Sequence, residues 1–135
     1  MKLVVLGIGL VLTLANSLVA QETLKPGAEH AFLAETEGDW IVTMSSPGGD
    51  ITGKGSYKMA HNGLWLTSQL EMKMPDGPFT GTGLDSYDPV KKKFVAIWVD
   101  SMSATPIILE GDRSADGKKV TMTGKGPGAD GASTT

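Results

Sequence analysis

The stretch Gly38-Asp39-Trp40-Ile41-Val42-Thr43-Met44, broken by Ser46-Pro47-Gly48-Gly49-Asp50 and resumed from Ile51 to Met59, decides the fold class. Trp40, Val42 and Met44 alternate with Ile41 and Thr43, the period-2 pattern of a strand with one buried face. His61-Asn62-Gly63 follows, and Asn-Gly supplies the two positive φ angles of a type I′ hairpin turn, so the second strand pairs with a third, Leu64 to Met72. Met74-Pro75-Asp76-Gly77-Pro78 is the next turn and Phe79 to Asp88 the next strand, with Gly81 and Gly83 on one face, where missing side chains let a sheet bend or a neighbour approach. Asp88-Pro89 starts the turn that delivers Phe94 to Asp100, and further strands are predicted over Ile107 to Glu110 and Val120 to Gly124, joined through Asp112 to Gly117. Seven short strands with short connections predict an all-β, antiparallel up-and-down barrel or sandwich.

Upstream the period changes. Ala28, Phe32, Leu33 and Thr36 fall at helical spacing, Glu29 sits where the helix dipole favours an acid, and Gly38 closes the helix. Residues 21–27 form a polar leader ending in Pro26-Gly27. Residues 1–20 read as a signal peptide: Lys2 gives a positive start, Leu3 to Leu14 is apolar, and small residues follow at Ala15, Ser17 and Ala20. Cleavage falls after Ala20 or after Ser17, and the mature protein is expected in the periplasm or the medium. The apolar run is shorter than the roughly 20 residues of a spanning helix, so no stable membrane span is expected once the leader is removed. The barrel domain is assigned to 28–125. The Gly/Pro-rich stretch 126–135 reads as a tail or a truncation point. Seven strands are few for closure, so an incomplete barrel, or a homodimer paired through its open edge, is expected.

Composition excludes several classes. The chain has no cysteine, hence no disulfide, thiol nucleophile or thiolate metal site. Its 12 basic and 15 acidic side chains are interspersed, apart from Lys91-Lys92-Lys93, and a net charge of −3 without a basic surface argues against nucleic acid. Only His30 and His61 are available for a triad or a metal site; His61 belongs to a hairpin tip and His30 to the helix, either polar-faced or packed at the barrel end. No metal ligand set, no cofactor and no catalytic set is expected. Gly53-Lys54-Gly55 precedes no helix and is no phosphate loop.

Four motifs in order, Pro26-Gly27-x-Glu29-His30-x-x-Leu33, Gly38-Asp39-Trp40, Gly81-x-Gly83-x-x-x-Tyr87-Asp88-Pro89-x-Lys91-Lys92-Lys93 and Trp98-x-Asp100-Ser101-Met102-Ser103, resemble the exported bacterial family called domain of unknown function 1579. The resemblance spans the mature chain. It implies a lipocalin-like (calycin-type) barrel with a short helix at one end, Trp40 packed under the barrel floor, and further strands beyond the turn at 126–131. It implies no activity. Haem binding, known among barrel relatives of the nitrobindin type, would need a late histidine, and none follows His61.

The binding candidates lie on the strands. Trp98 shares a face with Phe94, Ala96 and Asp100, and a carboxylate on an inward face must find a donor or shift its pKa. Alternatively, Asp100 caps the Ser101-Met102-Ser103 turn. Tyr57, Trp65, Trp98, Asp100 and Met102 are expected to line a pocket for a small apolar or amphipathic ligand, with Met72 and Met74 as adaptable lining. An enzyme of the cell envelope would instead use Asp100 and Glu71 as acid and base. A third possibility is an interaction module that adds a partner strand at the open edge.

Overall fold

The structure is a computed structural model that describes residues 24–127 and 133–134; the expected leader peptide, 1–20, lies outside the described residues. A short helix, α1 (Ala28–Ala34), precedes strands β1 (Gly38–Met44), β2 (Ile51–Ala60), β3 (Trp65–Met74), β4 (Gly77–Asp88), β5 (Lys93–Asp100), β6 (Ser103–Arg113), β7 (Val120–Pro127) and the two-residue β8 (Ser133–Thr134). Each strand pairs antiparallel with its sequence neighbours in the order β1 to β8. Among the described residues β1 pairs only with β2, so the strands form an open up-and-down meander, not a closed barrel.

Three departures from the expected strand pattern have local causes. The β2–β3 reversal is centred one residue earlier than Asn-Gly suggests. The Gly63 N–H donates to the Ala60 carbonyl at 3.0 Å, placing His61 (φ 50°) and Asn62 (φ 59°) at the central positions, with Gly63 (φ 79°) also left-handed after them. Next, β6 begins at Ser103, not Ile107. The register slips between Trp98 and Asp100, and Pro106, which has no N–H to give the ladder, falls within this bulge. Finally, the stretch expected as a tail carries β7 to Pro127, and Ser133 and Thr134 pair back onto Pro127 and Gly126.

One sheet face, here called inner, carries α1 and the core. Leu33 of α1 packs with Leu66 and Phe94, surrounded by Phe32, Tyr57, Met59, Tyr87, Val120 and Met122. Phe32 meets Phe94 edge-on at 6.0 Å, and the Arg113 guanidinium lies 4.0 Å from the centre of the Phe32 ring, so a strand β6 cation holds the helix down. Trp40 departs from the expected floor position: it is 51% exposed, and its indole N–H donates to the Thr36 carbonyl at 2.9 Å. It sits on edge strand β1, where only one neighbouring strand can cover it. It therefore ties the helix exit to the sheet and adds nothing to the core.

Glycines on the inner face let neighbouring strands approach closely. A Cβ on Gly111 would stand 1.9 Å from the Thr121 carbonyl oxygen, and one on Gly124 at 1.9 Å from that of Ile108. Those neighbours are backbone and cannot swing aside. Gly111→Ala should cost about 1–3 kcal/mol of stability in urea unfolding. Gly48→Ala, whose nearest neighbour would be 3.9 Å away, should change it by less than about 0.5 kcal/mol. Equal stabilities of the two variants would show that the fold does not depend on the close backbone approach at Gly111.

Candidate functional site

Strand register builds the inner face row by row. One row runs Tyr57, Ser68, Gly83, Trp98, and the next, nearer the helix, runs Met59, Leu66, Asp85, Ala96. Beyond them, away from α1, lie Leu70, Met72, Gly81 and Asp100. The helix covers the first end only. Of the five residues expected to form a pocket, Tyr57, Trp98 and Asp100 therefore share this face. Trp65 pairs with Ala60 and Ser86 and has the opposite parity from Leu66 and Met72, which puts it on the outer face. Met102 is 76% exposed at the tip of the β5–β6 turn and lines nothing. Met72 is buried on the inner face and Met74 half-buried at its end.

Trp98 and Asp100 act as a unit. The Trp98 indole N–H donates to Asp100 Oδ2 at 2.9 Å, while Asp100 Oδ1 accepts the Met102 backbone N–H at 2.8 Å. Both carboxylate oxygens are thus engaged, one orienting the indole and one capping the turn. The indole lies where side chains on β4 would be: a Cβ on Gly81 would fall 2.1 Å from Trp98 Cζ2, and one on Gly83 3.3 Å from Cε3. Ser101 stitches the turn to β4, since its N–H donates to the Thr80 carbonyl at 2.9 Å and the Thr80 N–H donates to its Oγ at 3.1 Å.

The acid–base pairing of Asp100 with Glu71 fails on parity. Glu71 pairs with Lys54 and Thr80 on the outer face, where it lines an open groove of about 630 Å³ with Asp39, Ile41, Lys54 and Gln69. The two carboxylates stand on opposite sides of one sheet.

The carboxylate that sequence reading passed over is Asp85. It lies between Leu66 (3% exposed) and Ala96 (5%), beside the buried Ser68. Burial raises its pKa above the ordinary aspartate value, and no hydrogen bond or nearby charge adds to or offsets that effect. The signal was available: Asp85 is two residues beyond Gly83 and so shares the face already assigned to Gly81 and Gly83.

A buried polar atom without a partner among the described residues lies in the helix. His30 is 5% exposed; its Nδ1 accepts the Gly27 N–H at 3.1 Å, and its Nε2 is buried without a partner among the described residues. A buried donor left unmade costs about 1–3 kcal/mol. Among the described residues no cluster of three or more His, Asp or Glu is placed to hold a metal ion, and no helix is long and apolar enough to cross a membrane.

A family model described as a protein of unknown function (DUF1579) matches residues 25–135. The chain belongs to the DUF1579 family. No curated protein and no solved structure matches it significantly. The match takes in α1 and every described strand of this DUF1579 chain, so the inner face and its half-buried carboxylate lie within the family domain.

The Asp85 environment sets a pH dependence. A raised pKa means the folded state holds the proton more tightly than the unfolded chain, so stability is greatest below the ordinary aspartate pKa and falls as pH rises through the raised one. Asp85→Asn removes the ionisable group. The variant should be more stable than wild type in urea unfolding at pH 7, and the difference should shrink as the pH is lowered through the acid range. A destabilised Asp85→Asn protein at pH 7 would mean that the carboxylate has a partner in the folded state.

Proposed function

We propose that this DUF1579 chain is an exported binding protein, periplasmic or secreted, whose inner face takes up a small, largely apolar ligand carrying one polar group, in the manner of a lipocalin-like barrel. The observation that carries the reading is Asp85: a half-buried carboxylate with no partner among the described residues, between Leu66 and Ala96 on the face that also holds Tyr57, Ser68 and Trp98. Such a group is unfavourable for folding unless something else uses it. A ligand hydroxyl or amine would complete it, and the Trp98 indole would stack against the apolar part. The carboxylates once paired as acid and base do not converge, so binding fits better than catalysis.

A second reading is favoured by β1. This edge strand leaves Trp40, Ile41 and Met44 exposed and has one hydrogen-bonding side unused among the described residues. An apolar unpaired edge is a template for strand addition, here with a second copy of the chain.

Native mass spectrometry of the chain expressed with its leader and purified from the periplasm separates the two readings. A processed monomer with extra mass that disappears on denaturation supports the binding protein, and a bare dimer supports edge pairing. For the binding protein, Trp98→Ala should reduce retention of that mass at least tenfold while far-ultraviolet circular dichroism stays unchanged. Parallel loss of fold and binding would assign Trp98 to the core alone.

A further inference from the structure

Strand register sorts the charges of this domain by face. Each lysine in the described strands stands on the outer face: Lys54 opposite Ile41 and Glu71, Lys58 opposite Thr67, Lys73 opposite Pro78, Lys93 opposite Asp88 and Lys125 opposite Ile108. The inner face holds the carboxylates of Asp85 and Asp100 instead. Arg113 shares the inner parity, but its guanidinium lies over the Phe32 ring and its Nε donates to the Gly117 carbonyl at 2.7 Å. Asp100 is likewise committed, to the Trp98 indole and the Met102 N–H. Asp85 is the inner carboxylate without such a commitment among the described residues, and two further side chains converge beside it. A Cβ on Gly83 would collide with Ser68 Oγ and lie 3.3 Å from Trp98 Cε3 and 3.6 Å from Asp85 Oδ2. Tyr57, Asp85 and Trp98 are half-buried, so each keeps part of its surface accessible.

We propose that the inner face selects a cationic amphiphile, a primary ammonium on an apolar chain, with the ammonium held by Asp85 Oδ2 and Ser68 Oγ and the chain laid along Trp98. The proposal rests on the reading of this face as a ligand site, and it narrows the ligand's polar group from hydroxyl or amine to amine. Two features make that choice. A primary ammonium carries three N–H donors, which match the carboxylate, the hydroxyl and the indole face, whose quadrupole attracts a cation. An alcohol brings one donor and no charge. The second feature is the sorting of charge: a cation approaching the inner face meets two carboxylates and no strand lysine, whereas a ligand carboxylate meets the same field with the opposite sign. Leu70 and Met72 lie beyond Ser68 on this face and continue its apolar surface.

Octylamine, 1-octanol and octanoate share one chain length and differ in headgroup, and the readout is the Trp98 indole N–H signal in ¹⁵N-resolved NMR at pH 7. Octylamine should shift that signal saturably and bind at least tenfold more tightly than octanol, with octanoate weakest. Asp85→Asn, which keeps the shape and loses the charge, should bring octylamine down to the level of octanol. Glu71→Gln alters net charge by the same amount on the outer face and should leave octylamine binding intact. The three probes on wild type decide the matter even where Asp85→Asn fails to fold. Octanol binding as tightly as octylamine would overturn the cation preference and leave the face standing as an apolar ligand site. Equal weakening of octylamine by Asp85→Asn and Glu71→Gln would also overturn it, by reducing the effect to net charge. No response of the Trp98 signal to any probe at millimolar concentration would overturn both the preference and the ligand site beneath it.

Discussion

The Trp98 indole can lie flat across β4 only because positions 81 and 83 carry no side chain, and much of the sheet's far end follows from that contact. Asp100 holds the indole by its N–H and at the same time caps the turn that starts β6. Ser101 ties that turn to β4, so three strands are locked at one place by a single aromatic side chain and its acceptor. Glycines 111 and 124 repeat the arrangement between β6 and β7, with backbone in place of indole. Each of these close approaches depends on an absent side chain.

The two ends of the inner face differ for a physical reason. Near α1, Leu33 and Phe32 cover Leu66, Phe94 and the residues around them, and Arg113 fixes Phe32 from outside. At the far end of β1, Met44 is exposed. A seven-residue helix spans about 10 Å and cannot roof a sheet whose strands run to twelve residues. Asp85 lies toward the covered end, close enough to the core to be desolvated.

Much of this was legible in the chain. Alternation around Trp40, the Gly81/Gly83 pair and the Asp88-Pro89 turn located strands and reversals to within a few residues, because each strand has one covered face and pairs with its sequence neighbour. The face shared by Phe94, Ala96, Trp98 and Asp100 was legible for the same reason. The β2–β3 turn was misplaced by one residue because His61 tolerates the left-handed region that Asn-Gly was expected to monopolise. The start of β6 was missed because Pro106 reads as a breaker, whereas a bulge removes the need for its N–H. The site was read less well. Trp65 was selected for its size when its parity with Leu66 and Met72 placed it outside, and Asp85 was passed over although its parity placed it inside. His30 was left between two readings, because its burial depends on how the helix packs and no local pattern encodes that.

The simple strand order has a kinetic consequence. Every hydrogen-bonded pair from β1–β2 to β7–β8 joins segments adjacent in sequence, so each hairpin closes a short loop and none waits for distant partners. Such local pairing lowers the contact order relative to Greek-key sandwiches, which places this domain toward the rapid side of all-β folding. Assembly can proceed strand by strand along the chain, and the seven-residue helix, too short to be stable alone, is held once Leu33 can pack on Leu66 and Phe94.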